Sequence, residues 1–132
     1  MFRFTNNIIA RITSRKFVFS SIWTAVILYL SLARIHTPEE ISHLFPNEDK
    51  VVHFSMYFIL CTFLQFEFRN STKKNIIFWI MLYTFSFGYL MEILQGTLFT
   101  YRSYDIYDFL ANCIGAITAT LNYLYYKKTI KK

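Results

Sequence analysis

Apolar residues in this chain come in four long runs almost free of charge, with the charged residues segregated into the connections between them. The runs are Phe17 to Ala33, Val51 to Phe68, Asn75 to Gln95 and Ile106 to Tyr126. A helix rises about 1.5 Å per residue and crosses the hydrocarbon core of a bilayer in about 20 residues. The pattern therefore predicts an all-α integral membrane protein, a four-transmembrane-helix bundle with short loops. The first two runs are short for a crossing and imply local thinning or extension of the helix into the interface. Neither proline interrupts a run, since Pro38 and Pro46 both lie between the first and second.

Orientation follows from Lys and Arg in the short flanks. Arg3, Arg11, Arg15 and Lys16 precede the first run, Arg69, Lys73 and Lys74 join the second to the third, and Lys127, Lys128, Lys131 and Lys132 end the chain. The other side has only Arg34, Lys50 and Arg102, among the acids Glu39, Glu40, Glu48, Asp49 and Asp105. Both termini are expected in the cytoplasm. The chain then divides into a basic cytoplasmic N-terminal segment at 1–16, the transmembrane domain at 17–126 and a basic tail at 127–132. The first segment reads equally well as an amphipathic helix on the inner leaflet or as a frayed tail. Thr37-Pro38-Glu39-Glu40, in the first outer loop, is a helix-start pattern. A cleaved leader is the lesser reading, because the first apolar run exceeds the usual span of about 7–15 residues.

Composition sharpens this picture. Of 132 residues, 55% are hydrophobic and 17% charged, against about a quarter charged in soluble domains. The net charge of +6 sits between apolar runs and not over a polar surface, so nucleic acid is not an expected partner. Cys61 and Cys113 form no CxxC or Cys/His cluster and read as packed free thiols. No cofactor is expected. The stripe Gly115-Ala116-x-x-Ala119 suits close helix packing, within the chain or between two copies.

Ionisable residues inside a spanning helix are costly, so their positions carry information. Asp49, His53 and Tyr57 recur every fourth residue at the outer entry of the second helix, with Lys50 beside them. Glu92 and Gln95 share the last turn of the third, one turn beyond Gly88, and Asp105, Asp108 and Asn112 form one stripe down the fourth. Arg102 lies in the loop just before. Given alternating helix directions, His53, Glu92 and Asp108 should all sit within about 5 Å of the outer boundary, with Tyr57 and Asn112 a turn deeper. Taken singly, each has a structural explanation: Asp49 and Asp105 as helix-dipole charges, Lys50 as a snorkelling side chain, Asn112 as interhelical glue. Taken together they predict a shared polar pocket.

The same residues carry a resemblance. Asp49-Lys50-Val51-Val52-His53-Phe54-Ser55-Met56-Tyr57 resembles the DK-x-x-H-F-x-x-Y signature of the VanZ-like family of small bacterial membrane proteins. Gly88-x-x-x-Glu92-x-x-Gln95 is similar to that family's second block, and Arg102-Ser103-x-Asp105-x-x-Asp108-x-x-Ala111-Asn112-x-x-Gly115 to its third. The resemblance implies a protein of the bacterial plasma (inner) membrane, and its namesake is associated with low-level resistance to the glycopeptide teicoplanin. No established reaction comes with it.

Two functions compete at this pocket. In a binding module, Lys50, Arg102 and protonated His53 hold the phosphate of an envelope lipid or lipid-linked wall precursor. In an intramembrane enzyme, His53 with Glu92 or Asp108 supplies acid–base catalysis on a lipid phosphate or acyl group. His53, Glu92, Asp105 and Asp108 are of types that ligate divalent ions, but no motif has metal-binding spacing, and no metal is expected. A transport path is disfavoured, because Glu67 is the only acid near the inner end and Arg69 or a lysine would screen it.

Overall fold

Each helix begins at a backbone reversal or under an acidic cap. The computed structural model describes residues 17–32, 47–98 and 104–130, and these are all-helical with no strand. The helices are α1 (Val18–Leu32), α2 (Glu48–Glu67), α3 (Ile76–Leu98) and α4 (Ile106–Ile130). Phe17, Asn47 and Asn75 precede α1, α2 and α3 with φ of 72°, 63° and 63°. Asparagine tolerates this left-handed region; a bulky phenylalanine rarely enters it, and Phe17 is held there with its ring 5.1 Å edge-on to Phe68. Asp105 caps α4 by accepting the Tyr107 N–H at 2.8 Å. The N-terminal segment, the Thr37-Pro38 helix start, Arg34, Arg102 and the last two lysines lie outside the described residues.

Helix ends depart from the ends of the apolar runs. α2 begins at Glu48 instead of Val51, because Glu48 and Asp49 suit the positive end of a helix dipole. α4 continues to Ile130, with Lys127 and Lys128 in its last turn where cations are favoured. Hydropathy marks where a run stops being apolar, whereas hydrogen bonds and caps mark where a helix stops.

Consecutive helices run antiparallel. Ser20 meets Glu67 at one end of the bundle, while Gln95 meets Ser31 and His53 meets Asn112 at the other. The parallel pair α2 and α4 has the most extensive contact. Gly115 makes it possible: a Cβ there would overlap the Phe54 carbonyl of α2. Gly115, Ala116 and Ala119 are all buried against α2, so the small-residue stripe serves packing within the chain. Below it, Gln65 donates to Thr120 Oγ1 at 2.7 Å and to Cys61 Sγ at 3.3 Å, a buried polar tie between the two helices. Both cysteines are free thiols.

The interior mixes apolar residues such as Ile27, Leu60, Ile80 and Met91 with polar ones, and large apolar side chains also cover the outside. Buried positions include Ser20, Gln65, Thr84, Glu92, Gln95, Asn112 and Thr120, whereas Phe78, Trp79, Tyr83, Leu90, Ile114, Leu121 and Tyr125 face outward. α3 is long and apolar enough to cross a membrane by length and composition. α1 is apolar but has 15 residues, and α2 and α4 dilute longer helices with polar groups.

Candidate functional site

The polar layer forms at the end of the bundle where α2 and α4 begin and α3 ends. Helical periodicity sets the azimuth of each side chain: Lys50, His53 and Tyr57 on α2, Gly88 and Glu92 on α3, Asp108 and Asn112 on α4. Convergence depends on the close approach of α2 to α4 at Gly115, and on Gly88, whose missing Cβ leaves room for Tyr57 and Asn112. A Cβ at Gly88 would come within 3.2 Å of the Tyr57 ring and 3.4 Å of Asn112.

His53 is the centre of this layer, with its side chain 12% exposed. Its Nδ1 lies 3.1 Å from Asn112 Oδ1 and 3.6 Å from Glu92 Oε1. Its Nε2 faces Asp108 Oδ2 at 3.7 Å. Since the Asn112 oxygen can only accept, Nδ1 carries the proton in the neutral ring and Nε2 presents its lone pair to Asp108. Glu92 is 1% exposed and Asn112 2%, so the imidazole is gripped from its inner side by groups that water barely reaches. Tyr57 is 1% exposed, and its hydroxyl has no hydrogen-bond partner among the described residues; the same holds for Asn112 Nδ2.

Lys50 forms the rim. Its ammonium contacts Asp49, Asp105 at 2.8 Å and Asp108 at 2.9 Å. The Asp105 and Asp49 carboxylates hold the lysine's pKa well above its ordinary value, and Lys50 in turn holds both carboxyls below theirs. The lysine that a phosphate would need is therefore already enclosed by three carboxylates. Counting Glu92 as well, the described part of the site is acidic in excess.

Asp49, Lys50, His53, Tyr57, Glu92, Asp105, Asp108 and Asn112 thus fall in one layer. Asp105 has a double role, capping α4 with one oxygen and meeting Lys50 with the other. Gln95 is at the same level but its amide donates to the Ser31 carbonyl of α1 at 3.1 Å. That participation of α1 had no signal in the sequence, because the acceptor is a backbone carbonyl. A cavity of about 580 Å³ lies elsewhere, in an apolar groove between α1 and α3 lined by Phe17, Thr24, Leu28, Trp79 and Tyr83.

Comparison with known proteins agrees with the motif pattern. The model of the family described as VanZ/LLP1 matches residues 1–127. An uncharacterized protein of Schizosaccharomyces pombe is 33% identical over 88 residues, covering 66% of this chain and 54% of that relative. The chain therefore spans about half the length of the curated relative it matches. No solved structure matches. A relative in a yeast also means that a bacterial host does not follow from similarity alone.

Proposed function

The chain belongs to the VanZ/LLP1 family, and from that premise we propose that it is a multi-pass membrane protein whose polar layer binds the headgroup of a membrane lipid. In this reading all four helices span, both termini are cytoplasmic, and the His53 layer lies at the opposite face. The outward-facing large apolar side chains support a bilayer setting, where lipid replaces water around them. Arg69, Lys73, Lys74, Lys127 and Lys128 gather at the bundle end remote from His53, where the positive-inside rule places the cytoplasm.

The observation that carries the headgroup reading is the convergence of three helices on His53, with the hydroxyl of Tyr57 and the amide of Asn112 left as buried donors. Donors of this kind suit the oxygens of a phosphate or glycerol ester. A yeast relative favours headgroup chemistry common to many membranes over a precursor peculiar to bacterial walls. A lipid-linked wall precursor, a bacterial plasma membrane and an effect on teicoplanin susceptibility are the narrower form of the same proposal.

One arrangement favours a second reading. With Nδ1 fixed by Asn112, the Nε2 of His53 is free to accept a proton from a hydroxyl or water beside Asp108, as a general base acting on a lipid ester would. Purified protein in nanodiscs, incubated with a panel of lipid phosphates that includes undecaprenyl phosphate, separates the two. Retention without product, weakened by His53→Ala, is expected for the binding module. Product formation abolished by His53→Ala and Glu92→Gln would establish the enzyme, and neither retention nor product would refute both.

A further inference from the structure

We infer that His53, Glu92 and Asp108 together bind one divalent cation of the first transition row, such as Zn²⁺ or Mn²⁺. One donor atom from each of the three lies within 4.8 Å of the other two. Metal–ligand bonds of about 2.0–2.2 Å set ligand atoms about 3–3.5 Å apart. The 3.7 Å between His53 Nε2 and Asp108 Oδ2 is close to that spacing and too long for a hydrogen bond. The imidazole Nε2 and the Asp108 carboxylate thus face each other across a gap suited to a cation. Glu92 Oε1 lies 3.6 Å from Nδ1, so its carboxylate must swing toward Nε2 to complete the set.

The surroundings of the cluster also point to a ligand. A histidine that binds metal through one nitrogen usually donates its other N–H to a fixed acceptor, and the Asn112 carboxamide is placed to be that acceptor. The Asn112 Nδ2 belongs to the same carboxamide, and Tyr57 stands one turn below His53 on the same face of α2. Both residues are more than nine-tenths buried, and both of these polar atoms are without hydrogen-bond partners among the described residues. They are positioned to hold the water, hydroxide or headgroup oxygen that completes an ion's coordination. One imidazole with two carboxylates suits a first-row divalent ion better than Mg²⁺ or Ca²⁺, which favour all-oxygen sites. Lys50 holds Asp49 and Asp105 at the rim and takes Oδ1 of Asp108, which leaves Asp108 Oδ2, the oxygen that faces His53, for an ion.

The inference deepens the headgroup reading. It rests on that reading for the ion's role, which is to convert an acidic cluster into a site for an anionic headgroup, though not for the ion's presence. The full-length protein in nanodiscs, stripped with EDTA, is equilibrated with Zn²⁺ or Mn²⁺ alone, desalted and analysed for metal by mass spectrometry. The expected result is about one ion per chain, a thermal midpoint raised by the ion and lowered again by EDTA, and loss of the ion in His53→Ala and Asp108→Asn. Asn112→Ala, which leaves all three ligands, should weaken binding by about 10–100-fold. Glu67→Gln, at the opposite end of the bundle, should bind normally. Substitution by Co²⁺ should give a visible absorption of nitrogen–oxygen ligation in the unmutated protein, which keeps the test valid if a variant does not fold. No retained ion in the unmutated protein, or retention unchanged in His53→Ala and Asp108→Asn, would overturn the inference. A lipid arm run with and without EDTA separates the two proposals. Lipid retained equally in EDTA, with no ion bound, sinks the ion and leaves the headgroup reading standing. A bound ion with no lipid retained does the reverse.

Discussion

Glu67, the last residue of α2, caps the first turn of α1. Its Oε1 accepts the Phe19 and Ser20 amides at 2.8 and 3.1 Å, and its Oε2 accepts the Ser20 hydroxyl at 2.5 Å. A carboxylate in this position satisfies amides that no helical carbonyl can reach and meets the positive end of the helix dipole. Of the cations expected to screen Glu67, Arg69 or a lysine, Arg69 donates to the Phe66 carbonyl at 2.9 Å and lies over the Phe66 ring. The acid on which a transport path would have depended is committed to holding α1. Glu67→Ala should destabilise the protein by about 1–2 kcal/mol in thermal or denaturant unfolding in detergent, and Glu67→Gln, which keeps an acceptor, by less.

The two site glycines should respond differently to a methyl group. At Gly115 the new Cβ overlaps the Phe54 carbonyl, and the backbones of α2 and α4 cannot separate without breaking their whole contact. Gly115→Ala should therefore cost more than the about 1–3 kcal/mol typical of overpacking. At Gly88 the neighbours are side chains, the Tyr57 ring and Asn112. Gly88→Ala should fall within that range while displacing the two buried donors, so ligand retention should drop more than the thermal midpoint does.

The tie between Gln65 and Thr120 tests the cost of an unmatched buried donor. Thr120→Val keeps the shape and removes the acceptor 2.7 Å from Gln65 Nε2. The expected loss is about 1–3 kcal/mol. Replacing both partners, as Gln65→Met with Thr120→Val, should recover part of it in a double-mutant cycle.

Lys50 and its carboxylates set a pH window for stability. Asp49 and Asp105 have folded pKa values below the ordinary 3.8, so their contribution is present above that value and is lost as pH falls through the folded value. Lys50 is raised above the ordinary 10.5, so its contribution is present below that value and is lost only as pH rises through its folded value. Circular-dichroism melts should show this term constant between those limits, with the acid-side fall reduced in Lys50→Met. Each pair is partly exposed, so the effect should stay within about 1 kcal/mol per pair.

Much of the candidate site was legible because it is written in local spacing. Asp49, His53 and Tyr57, or Asp105, Asp108 and Asn112, share a helix face whatever else the chain does, and alternating helix directions put them at one level. The partners were not legible in the same way. Lys50 read as a snorkelling or phosphate-holding cation, with no sign of the three carboxylates that enclose it, and Gln95 as a pocket residue, with no sign that its amide meets the Ser31 carbonyl of α1.

Helix number, helix direction and the level of each polar residue follow from periodicity and charge distribution, which act over a few neighbouring residues and need no knowledge of what packs against them. Which atoms meet is another matter. The placement of His53 between Asn112, Glu92 and Asp108, the burial of the Gly115 stripe against α2 and the capping of α1 by Glu67 all depend on axial register and rotation between helices. Those are set by the contact of whole surfaces, where one missing Cβ lets two backbones approach, and no single segment contains that information.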